Sequence, residues 1–308
     1  MSGWTVNDIP GLTGRIAVVT GANSGIGYVT ARELARKGAR VVLACRSEVR
    51  GNAAVNRIFA EVPDAVAEFA RLDLGDLGSV RDFADRFPYD HLDLLVNNAG
   101  VMALPYGTTA DGNETQFGVN HLGHFALTGL LLPVLLDTPG ARVVTVSSGM
   151  HALANIDLTD LNSDRRYRRW AAYARSKTAN LLFTHELSRR LAAHGADVVA
   201  AAAHPGYAAT NLQGAAPRME GRRLAERVVE LGNRVFAQPA EAGALPVLYA
   251  ATAAGVRPDS FTGPSLMMWR GAPGPSWRAP WTLNDEAGAL LWSASERLTG
   301  ISYDALKG

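Results

Sequence analysis

The chain has 308 residues, 47% of them hydrophobic and 19% charged, and its 30 basic and 29 acidic side chains nearly cancel to a formal net charge of +1. A chain of this size and composition buries an ample core, and so even a charge argues against nucleic acid or an acidic membrane surface as partner. No apolar run approaches the roughly 18 residues of a membrane span, the candidate at 127–136 being interrupted by Pro133.

Residues 1–8 carry neither the basic start nor the apolar core of a secretory signal, and the single Cys45 has no internal partner for a disulfide. A cytoplasmic protein is expected. From there short apolar runs alternate with helical patterns, which predicts βαβ units and an α/β fold: a doubly wound parallel sheet of about seven strands with helices on both faces. Strands are expected at 16–20, 41–45, 67–72, 94–97, 142–147 and 198–203, with a seventh near 260–262. Helices are expected near 26–37, 49–61, 77–86, 113–136, 171–194 and 240–251. Gly38, Gly140 and Gly195 follow helical stretches and suit their C-terminal ends. No linker or repeat divides the chain, so one domain over 1–308 is expected, with substrate-side loops at about 149–171, 206–238 and 263–283. In such sheets ligands bind beyond the carboxyl ends of the strands, where the chemical motifs fall.

The first motif, Thr20-Gly21-Ala22-Asn23-Ser24-Gly25-Ile26-Gly27, joins the first strand to the first helix. Gly21 suits the dihedrals of the turn, Gly25 lets the backbone approach phosphates, and Gly27 lets the helix pack close to the strand; together they mark a pyrophosphate site. The second strand ends Ala44-Cys45-Arg46, without the carboxylate that would hold a ribose 2′-OH. Arg46 offers a guanidinium fork suited to a 2′-phosphate, which favours NADP(H) over NAD(H). Asp73-Leu74, after the third strand, could hold an adenine, and Asp73 could equally cap the next helix. In Asn97-Asn98-Ala99-Gly100, Asn97 is expected to pin neighbouring strands while Asn98 to Gly100 lie against the cofactor ribose.

Further along, His121 and His124 lack the third ligand a metal site needs. His151 reads as a residue of the site's mouth or of the surface. Residues 165–169, with four arginines, read as a solvated segment rather than a polyanion site. Tyr173 and Lys177 share a helix face at i, i+4, and an ammonium near a phenol favours the phenolate. A tuned proton donor beside a nucleotide cofactor means redox chemistry on a carbonyl or alcohol. Trp269, Trp277 and Trp281 stand among Gly263, Pro264, Gly271, Pro273, Gly274, Pro275 and Pro280, which predicts an irregular loop acting as a flap over substrate or as a subunit contact.

The glycine turn, Asn97 to Gly100, Asn120, Ser148, Tyr173, Lys177 and Pro205-Gly206, in this order, resemble the short-chain dehydrogenase/reductase family over almost the whole chain. The resemblance implies a Rossmann fold and makes Tyr173 the general acid/base. Lys177 would lower the pKa of Tyr173 and hold the nicotinamide ribose, Ser148 would orient the substrate oxygen, and Asn120 would hold a water linking Lys177 to solvent. Pro205, Gly206 and Thr210 would contact the nicotinamide end. The run Asn113 to Phe125, the strand end at Arg46 and the long interval between Ser148 and Tyr173 look most like the retinol-dehydrogenase-like branch, as a bacterial member. The branch's usual His-His is here His151-Ala152, and Met267-Met268-Trp269 matches no substrate signature of it, so retinoid specificity is not carried over. The family's four-helix interface implies a homodimer or homotetramer, with Leu122, Phe125 and Leu130 on one helix and Leu181, His185 and Ser188 on the other. Two other readings stand beside this one. A carbon–carbon double-bond reductase resembling light-dependent protochlorophyllide reductase is expected to use an active-site cysteine, and a catalytically silent NADP(H) sensor would generally lose the tyrosine or lysine.

Overall fold

The computed structural model describes residues 3–206 and 238–307. All five residues of β1 (Ile16–Thr20) are buried, as a central parallel strand covered on both faces requires. The chain continues through α1 (Gly25–Arg36), β2 (Arg40–Cys45), α2 (Glu48–Glu61), β3 (Val66–Arg71), α3 (Leu77–Asp85) and β4 (Leu94–Asn97), then through short helical segments to β5 (Ala141–Val146), α7 (Arg169–His194) and β6 (Val198–Ala203). Beyond residue 237 come α8 (Ala240–Thr252), β7 (Phe261–Leu266), β8 (Arg270–Pro275) and α9 (Asp285–Thr299).

One sheet of eight strands has the order β3-β2-β1-β4-β5-β6-β7-β8. Its first seven strands pair in parallel and β8 runs antiparallel to β7. The strand order reverses between β1 and β4, which opens the ligand crevice at their carboxyl ends. Side chains alternate between two cores: Val19, Val41, Leu43 and Val96 pack with α1, α2 and α8, while Val18, Val42, Leu95 and Val143 pack with α3, the helical segment Gly123–Leu130, α7 and α9.

Three departures from the expected elements matter for the site. The helix expected over 113–136 is broken into α4 (Thr115–Phe117), a π-helical turn (Gly118–Leu122), α5 (Gly123–Leu130) and α6 (Leu132–Leu136). Pro133 lies in the first turn of α6 and cannot donate back into α5. The π turn places Asn120 where a plain helix would not, and such turns mark functional positions. Second, the loop expected to be irregular holds β8, whose Pro273 faces Pro264 of β7; prolines are tolerated there because β8 is an edge strand. Third, α9 was absent from the expected helices although it is signed at both ends: Asn284 accepts from the Ala287 N–H, and Gly300 closes it at φ 64°.

Helix α9 also bears on residues expected at a subunit contact. Trp292 stacks among Phe125, Phe183 and Tyr303, so α9 covers α5 and α7 with the chain's own core. Leu122, Phe125 and Leu181 are buried in one chain at 1%, 0% and 0% exposure, and His185 is held between Asp259 and Asp285. Among the described residues, no helix is long and apolar enough to cross a membrane.

Candidate active site

The glycine turn is packed against the Asn97-Asn98-Ala99-Gly100 segment with no space to spare. A Cβ on Gly27 would lie 2.5 Å from Asn98 Nδ2 and 2.7 Å from the Gly21 oxygen, and one on Gly21, at φ 66°, would lie 3.0 Å from the Ala99 Cα. Gly25 also has positive φ, at 57°. Ser24 precedes α1 without making a side-chain cap, and no acid stands in the first turn. The leading N–H groups and positive end of the helix dipole are thus available to an anion, and the residues present fit a bound pyrophosphate. Cys45 lies beneath the turn, accepting from the backbone of Ala22 and Asn23, and burial pushes its thiol up to about 11.

Arg46 is 71% exposed at the end of β2, its Nε 3.9 Å from Asp73 Oδ2, so these two sequence candidates converge. Asp73 Oδ1 accepts the Gly75 N–H, whereas α3 is capped by Asp76; the alternative reading of Asp73 as the helix cap does not hold. Leu74 turns its side chain into the core.

The two asparagines divide their work differently from the expectation. Asn98, not Asn97, ties neighbouring strands, its Nδ2 donating to the Thr20 carbonyl of β1 at 2.8 Å. Asn97 reaches instead to Thr128 of α5, at 3.0 Å. Gly100 is flanked by the other half of the site: a Cβ there would lie 3.1 Å from Asn120 Oδ1 and 3.6 Å from Lys177 Nζ.

Asn120 is completely buried. Its Oδ1 accepts from Val101 N at 2.7 Å, and its Nδ2 donates to Val101 O and Ser176 Oγ, each at 2.9 Å. The amide is therefore spent on protein partners, and its main-chain carbonyl accepts from His124 Nδ1 at 3.0 Å. Helix α7 docks on the end of β5 through Lys177 Nζ and Asn180 Nδ2, which both donate to the Val146 carbonyl at 3.1 Å. Ser147 adds a bond to the Lys177 carbonyl at 2.8 Å. Ser148 opens the 3₁₀ turn Gly149–Leu153 and accepts from Met150 N.

Tyr173 is buried, with Lys177 Nζ 5.8 Å from its ring centre. Its pKa departs from the sequence expectation: burial pushes it up to about 12, opposed only by hydrogen bonding toward Ser148. Burial also pulls the Lys177 ammonium down to about 8. The protein alone thus keeps the phenol protonated, because desolvation disfavours the phenolate more than this ammonium favours it.

Histidines decide more here than their spacing indicated. His151 is fully buried rather than at the mouth or surface. Its Nδ1 donates to the Ser148 carbonyl at 2.7 Å, and its Nε2 accepts from Ala279 N at 3.1 Å. Trp277 stacks on it. His121 and His124 part company, toward Ser295 and Thr20 respectively. His204, preceding Pro205 and Gly206, accepts the Gly206 N–H and reaches Ser276 Oγ at 2.7 Å. Gly206 has φ 67° and is packed under the Trp269 carbonyl. Thr210 and most of the 206–238 loop lie outside the described residues.

A cavity of about 720 Å³ is lined by Tyr106, Leu153, Tyr167 and Trp170, with Arg168 and Arg169 at its wall. Leu153 closes the turn that Ser148 opens, and Trp170 stands one turn before Tyr173 on α7. Arg168 and Arg169 therefore belong to this cavity and not merely to a solvated segment. Sequence reasoning missed its apolar walls; a signal lay in the aromatics Tyr106, Tyr167 and Trp170, all outside the helices expected at 113–136 and 171–194.

A sequence model described as short chain dehydrogenase matches residues 15–221. The chain is 41% identical over 295 residues to human retinol dehydrogenase 12, covering 95% of this chain and 89% of the relative. It is 40% identical over 302 residues to human retinol dehydrogenase 13, covering 96% and 88%. The crystal structure of an uncharacterised protein from Mycobacterium paratuberculosis is 46% identical and superposes with a TM-score of 0.82, covering 98% of this chain and 99% of that one.

Proposed function

The chain belongs to the short chain dehydrogenase family and is accordingly a nicotinamide-dependent oxidoreductase of alcohol and carbonyl groups; within that class we propose an NADP(H)-dependent enzyme that interconverts an alcohol with an aldehyde or ketone. The observation that carries this reading is that Lys177, tied to the end of β5, has its Nζ 3.6 Å from a Cβ built on Gly100, whose neighbours Asn98 and Ala99 pack on the glycine turn, while Tyr173, one turn earlier on α7, bonds toward Ser148. The leading N–H groups of α1 would hold the pyrophosphate, and Arg46, beside Asp73, would hold the 2′-phosphate. Asn98, Ala99 and Gly100 would line the ribose with Lys177, and Pro205 and Gly206, with Thr210 of the loop outside the described residues, would serve the nicotinamide end. Bound nicotinamide supplies the hydride chemistry.

Ser148 donates to the substrate oxygen and aligns it with Tyr173. In reduction the Tyr173 O–H gives its proton to that oxygen, and a phenol pushed up to about 12 is already in the donating form. In oxidation the same group removes the proton, with the positive charges of Lys177 and the oxidised ring opposing the effect of burial. The cavity with Tyr106, Leu153 and Trp170 takes the apolar body of the substrate, in keeping with relatives named as retinol dehydrogenases. A cytoplasmic location, favoured by the lone reduced Cys45, is part of the same reading.

A double-bond reductase is disfavoured because Cys45 sits beneath the glycine turn, and a silent sensor because Tyr173 and Lys177 are both retained. Steady-state turnover of aldehydes, ketones and enones with NADPH tests the proposal. Carbonyl reduction rising with the length of the hydrocarbon body is the expected result; reduction of the enone double bond alone, or NADPH binding without turnover, would overturn it.

A further inference from the structure

His124 is buried at 1% exposure at the start of α5, immediately after the π turn that carries Asn120. Its ring has a partner at each end. Nδ1 lies 3.0 Å from the Asn120 carbonyl and Nε2 lies 2.9 Å from Thr20 Oγ1. A carbonyl only accepts, so Nδ1 carries the hydrogen and Nε2 is left to accept the Thr20 hydroxyl proton. The lone pairs of Thr20 Oγ1 then take the backbone N–H groups of Asn98 and Ala99, both at 2.9 Å. The Val96 carbonyl, 3.4 Å from Thr20 Oγ1, is the longer alternative for that single hydroxyl proton; with the proton on the 2.9 Å contact to His124, one tautomer satisfies every donor and acceptor in the chain of bonds.

Its two ends belong to different halves of the site. Thr20 opens the glycine turn and Asn98 packs against Gly27, whereas Asn120 is bonded to Val101 and Ser176, the latter next to Lys177. From this geometry we propose that His124 is a positioning residue, a two-ended strut that sets the cofactor cradle at a fixed distance from the side of the site carrying the proton donor. This rests on the dehydrogenase reading above. Hydride transfer requires reacting atoms placed to a fraction of an ångström, and misplacement by about 1 Å costs as much as a hundredfold in rate. Burial pulls the imidazole down to about 4, so the strut keeps its neutral tautomer across the working range.

The test is a double-mutant cycle of His124→Phe and Thr20→Val. His121→Phe serves as the control, since His121 is equally buried but bonds Ser295 of α9. The expected result is a kcat lowered at least about tenfold by either variant, with substrate KM within about threefold, and a double variant no worse than the more damaged single one. His121→Phe should lower the melting temperature and leave kcat within about threefold. Thr20→Val is nearly isosteric, so if His124→Phe fails to fold, the Thr20 variant decides alone. Variants that lose stability as the control does while retaining kcat, or additive losses in the cycle, would overturn the strut. Absence of wild-type turnover would instead overturn the dehydrogenase reading; the strut is then judged by NADPH fluorescence titration, where equal and non-additive weakening supports it and unchanged affinity removes it.

Discussion

The cradle around β1 and β4 and the hairpin β7–β8 solve the same problem, a tight backbone path, by opposite means. In the cradle the left-handed positions Gly21 and Gly25 are glycines, and Gly27 stands where a Cβ would overlap Asn98. At the hairpin tip Met267 and Met268 adopt φ of 51° and 59° without a glycine, and Met267 is 95% exposed. In the proposed function the cradle meets a cofactor of constant shape, which is consistent with its residues being spelled out in one short stretch. The position of the hairpin is set instead by distant partners: Gly206 beneath Trp269, and His204 against Ser276.

Chemistry concentrated on α7, beside the cradle and away from the hairpin, should make Tyr173→Phe the most damaging change. Turnover is expected to fall by about 10²–10⁴ while NADPH affinity is retained, because one hydroxyl alone is lost. A variant keeping more than about a tenth of wild-type kcat would show that another residue carries the proton.

Acid should strike both regions together. His121, His124 and His204 are buried and pulled down to about 3, 4 and 4, so the folded protein leaves them neutral while the unfolded chain protonates them below about 6.5. The unfolded state then binds more protons, and stability falls with decreasing pH from about 6.5 to about 4, at roughly 1 kcal/mol per pH unit for each imidazole. Calorimetric melting temperatures that stay level from pH 7 to 4.5 would contradict this.

Arg46→Asp should shrink or reverse the proposed preference for NADPH over NADH by about ten- to a hundredfold, the worth of a charge-assisted fork. Titration of both cofactors reads this directly; an unchanged ratio would remove Arg46 from the 2′-phosphate.

Paired glycine substitutions compare the two regions at equal chemistry. Gly27→Ala should cost about 1–3 kcal/mol and weaken cofactor binding, whereas a Cβ on Gly274 meets nothing nearer than Ser265 Cβ at 3.7 Å. Gly274→Ala should change stability by no more than about 0.5 kcal/mol. Equal losses in urea denaturation would mean that the cradle is no tighter than the hairpin.

A modest gain rather than a loss is expected at the hairpin tip. Replacing Met267-Met268 by Asn-Gly relieves two left-handed residues, each costing about 1–2 kcal/mol for an ordinary side chain, in a two-residue turn that favours that pair. A stabilisation of about 1 kcal/mol with unchanged NADPH affinity is expected from denaturation and titration.

What the amino-acid sequence determined by itself was local. The parallel strands lie within one residue of their expected starts where apolar runs are short and uninterrupted, as at β1, β2, β4 and β6. The glycine turn and the Tyr173–Lys177 spacing are legible because a few adjacent dihedrals, or one helical turn, bring their groups together. Tertiary structure alone decided the rest. The bond from Thr20 to His124 spans 104 residues and that from His151 to Ala279 spans 128, and no local periodicity encodes such pairs. The π turn at Asn120, the antiparallel β8 and the upward shift of Tyr173 depend on what packs around them: α9 over α5 and α7, β7 beside an open edge, and a dry pocket around a phenol whose ammonium neighbour is itself desolvated. Burial is a property of the assembled fold, and here it outweighs the charge that the sequence places one turn away.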